Sequence, residues 1–395
     1  MTIRNPFWCK LSLLLVSSLT IMAGATVAAS LPAIQRAFVD TENVELLTRL
    51  IVTMPALAIA ILSPLSGWAV DRFGRTKLLY SGMLLYGIAG VSGGLVNDLY
   101  QLLALRLILG VSVSMTMTSV LTLVGDYFKG EERTRFLALQ SAFMGFGGVL
   151  FITSGGWLAS MSWRAPFFIY AAALVFLPLA VLMLKEPDRV RREARANVGT
   201  KTAGASDGLN KRLALFVYGV LSIVFVLFYA IPTQGPFYIE GKFHVSTTAV
   251  GMVVASMTLS SAVVSLLYPY VKRKTSYLGV FGYTFFFIGI SFLLFSWAPT
   301  YGFAMMALFI GGMGMGLLMP NASVWLMDIS PEEMRGRVMG GMTTAVFLGQ
   351  FASPFITQPL AISWGFERTF TVLGSTLVAG AAAVLLSTAF FRRWS

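Results

Sequence analysis

The sequence predicts an all-α membrane protein with twelve transmembrane helices in two pseudo-symmetric six-helix bundles. Composition is the first support: 56% of the 395 residues are hydrophobic and only 12% are charged. Soluble domains of that combined length need far more surface charge. The second is the recurrence of apolar runs near twenty residues, the length at which a helix crosses a hydrocarbon core of ~30 Å. The third is an internal repeat. Sliding the chain by 202 residues pairs Gly110 with Gly312, Asp126 with Asp328, Glu131 with Glu333, Arg133 with Arg335, Arg135 with Arg337 and Gly147 with Gly349.

Taken in order, the spans fall near 11–34, 47–70, 77–96, 99–127, 135–160 and 164–185, then 213–238, 246–271, 278–297, 301–327, 337–361 and 367–391. The stretch 186–212 is rich in Arg, Lys, Ala, Gly and Ser and has no apolar run. It reads as the linker between an N-terminal bundle (1–185) and a C-terminal bundle (213–395). Duplicated halves of this kind are typical of secondary transporters, in which two bundles rock about a site near the midplane.

Lys and Arg set the orientation. With the N-terminus inside, 23 of the 29 fall in cytoplasmic segments; Arg36, Arg49, Arg164, Lys242 and Arg368 lie opposite, and Arg106 lies within a span. This is the positive-inside pattern of a multi-pass protein of the cytoplasmic (inner) membrane with both termini cytoplasmic. The net charge of +12 is therefore a topology signal, and basic residues scattered through short loops do not make a nucleic-acid surface. The first span follows Arg4 and Lys10, as a signal peptide would. It is longer than a signal core, however, and its removal would break the six-plus-six arrangement. Cys9 is alone, which excludes an intramolecular disulfide or a thiol metal cluster, and His244 sits alone in a loop.

The densest cluster of charge lies between spans 2 and 3, where Gly67 to Lys77 reads G-x-x-x-D-R-x-G-R-x-K. Leu103-x-x-Arg106-x-x-x-Gly110 stands in span 4. Glu131-Glu132-Arg133-Thr134-Arg135 follows span 4, Pro331-Glu332-Glu333-Met334-Arg335-Gly336-Arg337 follows span 10, and Trp163-Arg164-Ala165-Pro166-Phe167 opens span 6. In this order and topology, over the whole chain, these motifs resemble those of the major facilitator superfamily, with its drug and metabolite:proton antiporters. The resemblance implies a cytoplasmic gate at Gly67, Asp71, Arg72, Gly74 and Arg75, with Asp71 approaching helix 11 of the other half near Arg337 to Gly341. Physically, glycines permit close helix ends and a tight turn, and a carboxylate suits a helix N-terminus. Asp126, Arg133, Asp328 and Arg335 end or follow helices at the same face and are expected in the same charged layer. Anchoring of the basic residues in lipid headgroups is the alternative. The second half retains only Lys272, Arg273 and Lys274 of the 67–77 pattern, so the latch is expected to be one-sided. A helix 5 motif with a central Gly-Pro is common in antiporters of the superfamily. Here Gly147 and Gly155-Gly156 fit it, but Phe151-Ile152 replaces the Gly-Pro.

Arg106 is the only ionisable residue well inside a span, and all seventeen Asp and Glu fall in loops or at span ends. A mid-membrane cation costs at least ~2.5–3.5 kcal/mol and needs a partner. The resemblance implies a role in proton coupling for Arg106; a structural Arg paired with backbone carbonyls is the alternative. A cavity with one Arg and no acid favours neutral, zwitterionic or anionic cargo. Helical spacing adds a candidate substrate lining of Gly110, Ser114 and Met117 on span 4 and Gln140 and Met144 on span 5. It also includes Tyr218, Ser222, Phe225, Tyr229 and Gln234 on span 7, Asn321 and Trp325 on span 10, and Phe347 and Gln350 on span 11. Packing between helices is the alternative for each.

The expected function is proton-coupled efflux of a drug-like compound or a secreted metabolite such as a siderophore, by a monomer working with protons and the bilayer, without cofactor or metal. Uptake of an organic anion or sugar-like solute, or lipid flipping, are the transport alternatives. A membrane-embedded transferase would need clustered His, Asp or Cys at one face, and no such cluster is present. No G-x-x-x-x-G-K-[ST] loop occurs, which points to an ion gradient as the energy source.

Overall fold

The computed structural model describes residues 6–187, 210–331 and 334–392. Most of the 186–212 linker, Glu333 of the repeat, and the Asp71 side chain lie outside the described residues. Among the described residues twelve helical segments follow one another: α1 (Pro6–Ala25, a 3-10 turn at Ala28–Ser30, then Leu31–Ala37), α2 (Val44–Phe73), α3 (Arg75–Ser92), α4 (Leu99–Tyr127), α5 (Gly130–Met161) and α6 (Ala165–Ala171 and Ala172–Met183). The second half adds α7 (Lys211–Phe228 and Ala230–Phe243), α8 (Thr247–Lys274), α9 (Tyr277–Ser296), α10 (Tyr301–Asp328), α11 (Arg335–Trp364) and α12 (Phe366–Arg392). Eleven are long and apolar enough to cross a membrane. The remaining one, α3, has 18 residues, and its first turn carries Arg75, Thr76 and Lys77.

Local chemistry places the boundaries. Asp98, Ser246, Ser276 and Thr300 cap α4, α8, α9 and α10, each side chain accepting a backbone N–H of the first turn. A single residue, Gly74 at φ +97°, separates α2 from α3. No side chain is comfortable at that φ, so the glycine permits the abrupt reversal.

Two large apolar cores form, one from residues 9–184 and one from residues 214–377 with Ala29. The 202-residue repeat is visible in their packing. Gly110 of α4 lies against Pro55 and Ala58 of α2, and Gly312 of α10 lies against Met257 and Ser260 of α8. Pro55 and Ala58 shifted by 202 are Met257 and Ser260, so the same helix pair recurs in the same register. Gly147 faces Ser18 of α1, as Gly349 faces Ser222 and Phe225 of α7. Among the described residues two long seams join the halves, beside smaller contacts of α1 with α7 and α8. In one, α2 runs beside α11, where Thr344 Oγ1 donates to the Ala60 carbonyl (3.3 Å). In the other, α5 runs beside α8 so closely that a Cβ on Gly145 would lie 2.5 Å from that of Ala262.

Candidate transport path and its two ends

The face carrying the 67–77 turn is the basic face. There the Glu186 carboxylate, beyond the end of α6, accepts hydrogen bonds from Arg75 N (2.9 Å), Thr76 N (2.9 Å) and Thr76 Oγ1 (2.8 Å). It thus caps the first turn of α3, where orphan N–H groups and the helix dipole both favour an anion. The Arg75 side chain turns inward to Asp126 of α4, Nε to Oδ2 2.5 Å. Arg72 goes the other way and lies over the exposed ring of Trp68, 5.2 Å from its centroid. The repeat reappears, because Asp328 accepts from the hydroxyl of Tyr277, the residue 202 positions after Arg75. Lys272 Nζ lies 3.8 Å over that ring. Arg133 runs beside Gly125, Arg335 is exposed at the start of α11, and Gly67 looks onto open space. Glu186→Ala removes the cap, so a loss of about 0.5–2 kcal/mol is expected, read as a lower thermal midpoint for the purified protein.

Arg106, 2% exposed, is enclosed by its own bundle. Its Nη1 donates to the Tyr170 hydroxyl (2.9 Å), and its guanidinium lies 4.5 Å from the Phe167 ring centroid. Nη2 is buried and makes no hydrogen bond. The Tyr170 hydroxyl in turn donates to the Ala23 carbonyl (3.1 Å), just before α1 breaks. Tyr86 packs edge-on against Tyr170 and donates to the Leu19 carbonyl. The partner required by a buried cation is therefore aromatic and phenolic rather than carboxylate.

At the distal face, opposite the basic one, polar side chains cross between the bundles. Arg49, 3% exposed near the start of α2, donates from Nε to Gln234 Oε1 on α7 (2.7 Å) and from Nη1 to Gln35 (3.1 Å). It also lies 4.1 Å over the Phe237 ring. Gln234 Nε2 donates to Gln358 of α11 (2.8 Å), whose own Nε2 donates to Glu45 Oε2 (2.9 Å). Further out, Arg36 pairs with Glu240 (2.6 Å) beside a surface cavity of about 480 Å³.

Among the candidate lining residues, Gln234, Tyr229 and Phe347 reach the opposite half: the Tyr229 hydroxyl abuts Gly24, and Phe347 packs on the first core. Others join helices within a half. Ser114 bonds Ser66, Gln140 bonds Ser17, Tyr218 bonds the Val338 carbonyl and Ser222 the Ala345 carbonyl. Phe225 packs beside Gly349, Asn321 donates to the Tyr277 carbonyl, and Trp325 stacks on Tyr277. Gln350 is buried, and Met117 and Met144 are half-buried.

A family model described as Major Facilitator Superfamily matches residues 13–354 and 235–393. The chain belongs to the Major Facilitator Superfamily. Its long apolar helices are those of a multi-pass membrane protein of that family. Over 216 residues it is 26% identical to Multidrug resistance protein 2 of Bacillus subtilis (strain 168), a match covering 54% of each chain. The chain thus spans about half the length of that relative. Over 348 residues it is 22% identical to Quinolone resistance protein NorA of Staphylococcus aureus (strain COL), covering 85% of this chain and 86% of that one. Among solved structures, the D-xylose-proton symporter shares the fold at a TM-score of 0.76 and 17% identity, over 96% of this chain and 97% of that one. The human organic anion transporter MFSD10 does so at 0.70 and 17%, over 97% and 100%.

In this superfamily member, sequence reasoning missed Glu186, Glu45, Gln35 and Gln358. Glu186 stands 111 positions from Arg75, and nothing periodic links them. Glu45 and Arg49 did leave a signal, an i,i+4 acid–base pair opening an apolar span.

Proposed function

We propose that this transporter exports a small neutral, zwitterionic or anionic organic compound in exchange for protons, by alternating access. The observation that carries the cargo class is the sign of the buried charge. Among the described residues the two buried charged side chains are both guanidinium groups, Arg49 and Arg106, and no carboxylate is buried. A cationic substrate inside such a structure would meet repulsion with nothing to neutralise it, whereas an acidic group would be a counter-ion. Similarity to proteins named for multidrug and quinolone resistance favours export.

In this reading the basic face is cytoplasmic, by the positive-inside rule, and the protein sits as a monomer in the cytoplasmic membrane with both termini inside. The 67–77 turn and the Asp126 and Asp328 layer form the cytoplasmic gate. Arg106 serves coupling through Tyr170, whose hydroxyl bonds the α1 backbone at its break, so that a change at Arg106 reaches the helix that meets Tyr229 of the other half.

The test is proton flux in inside-out vesicles holding an acidic lumen. Export by exchange makes an anionic fluorescent substrate, added outside, release lumenal protons. Proton movement in the same direction as the substrate means symport, and no flux with anionic or neutral compounds but flux with cations overturns the cargo class.

A further inference from the structure

The two distal seams are related by the internal repeat, yet they are built from opposite materials. Glu45, Arg49 and Gln358 shifted by 202 correspond to Thr247, Gly251 and Gly156. On the α5–α8 side these positions bring backbones together. Thr247 Oγ1 donates to the Gly156 carbonyl (3.1 Å), and a Cβ on Gly156 would lie 3.2 Å from the Gly251 Cα. On the other side the equivalent positions hold α2 to α7 and α11 through long side chains, with Arg49 on Gln234 and Glu45 on Gln358.

We propose that these side chains form a distal gate that opens on the α2 side while the α5–α8 contact acts as its pivot. Glycine-to-glycine contact lays backbone on backbone with no side chain to swing away, which suits it to a pivot. The α2 side has an alternative arrangement ready. Gln234 and Phe237 both ride on α7, so one movement takes from Arg49 its amide partner across the seam and its aromatic cover together, leaving Nη1 on Gln35 and the Glu45 carbonyl of its own half. The same parting releases Glu45 from Gln358. Glu45 lies one turn from Arg49 on α2, the i,i+4 spacing at which carboxylate and guanidinium pair. Closed, two neutral amides separate the acid from the base; open, acid and base satisfy each other. Only the Nε donor of Arg49 loses its acceptor when the seam parts, and the Glu45 carboxylate freed by the same parting is the group within reach to take it, so the two arrangements exchange one set of partners for another.

This inference rests on alternating access but not on the cargo or the coupling ion, so its test uses neither. The probe is a membrane-impermeant maleimide applied from the distal side to Ser30→Cys, a fully buried position at the bend of α1, in a Cys9→Ser background. Gln234→Leu removes a hydrogen bond to a charged group and is expected to raise the labelling rate roughly ten-fold. Gln234→Glu gives Arg49 a carboxylate across the seam and is expected to lower the rate below that of the parent. A merely misfolded protein would label faster in both variants. Thr247→Ala, at the pivot, is expected to leave the rate unchanged. Equal effects of Gln234→Leu and Gln234→Glu, or a rise with Thr247→Ala matching that of Gln234→Leu, would overturn the assignment.

Discussion

Arg106→Leu is expected to leave the protein as stable as the parent, or more stable, while lowering transport by at least about ten-fold, a change of ~1.4 kcal/mol in the limiting barrier. The stability half follows from the repeat. The residue 202 positions after Arg106 is Leu308, fully buried four residues before Gly312, just as Arg106 precedes Gly110. Ile288 likewise stands where Tyr86 stands in the first half. One copy of the helix pair therefore folds with an aliphatic side chain at this site. Replacing a buried ion pair by hydrophobic residues is often neutral or stabilising by about 1–4 kcal/mol, and Arg106 has no carboxylate partner that its loss would strand. Tyr170→Phe should behave differently, because it leaves the Arg106 guanidinium in place without its hydrogen bond, at a cost of about 1–3 kcal/mol. Thermal unfolding of the detergent-solubilised protein, set beside vesicle transport, separates the two roles. If Arg106→Leu loses stability and transport together, the arginine is a packing element.

The contrast between Arg106 and Leu308 also shows what the sequence could disclose. Apolar runs recorded the helices, because crossing a bilayer demands length and hydrophobicity that little else imitates; span 4, read at 99–127, is α4 to the residue. The repeat recorded the bundle architecture, since glycines at helix contacts recur where the contacts recur. The surroundings of individual polar residues were far less legible. Arg49 reads as one of the basic residues of the distal face, yet it is buried, because Phe237 and Gln234 arrive from the other bundle some 185 positions later. Asn321 and Trp325 fall on a plausible lining stripe, but their partners at Tyr277 belong to the same half. Helical periodicity tells which residues share a face; it does not tell whether that face meets a neighbour or a path. The Arg75 and Arg72 pair makes the same point within one turn, one side chain folded in onto Asp126 and the other laid out on Trp68.

Glycine substitutions at three sites should separate packing from gating. Gly110→Val and Gly312→Val each force a branched side chain into a carbonyl oxygen of the facing helix, at Pro55 and Met257 respectively. Overpacking of this kind typically costs about 1–3 kcal/mol, and rigid backbone on the receiving side places both variants at the upper end. Because the sites are equivalent under the repeat, the two losses should be similar, seen as matching drops in thermal midpoint and in yield of folded protein. Gly67 differs, since a Cβ there would meet nothing within 4 Å, and the same holds for Gly336 and Gly340 of α11. Gly67→Leu should therefore fold normally, and its helix should even gain from losing a glycine. Transport by Gly67→Leu is nevertheless expected to fall, because closing the basic face would bring α2 and α11 together where all three glycines now leave room. Full transport by Gly67→Leu would mean that this space stays open throughout the cycle, and the 67–77 turn would then have to act through Arg75, Asp126 and Glu186 within its own bundle.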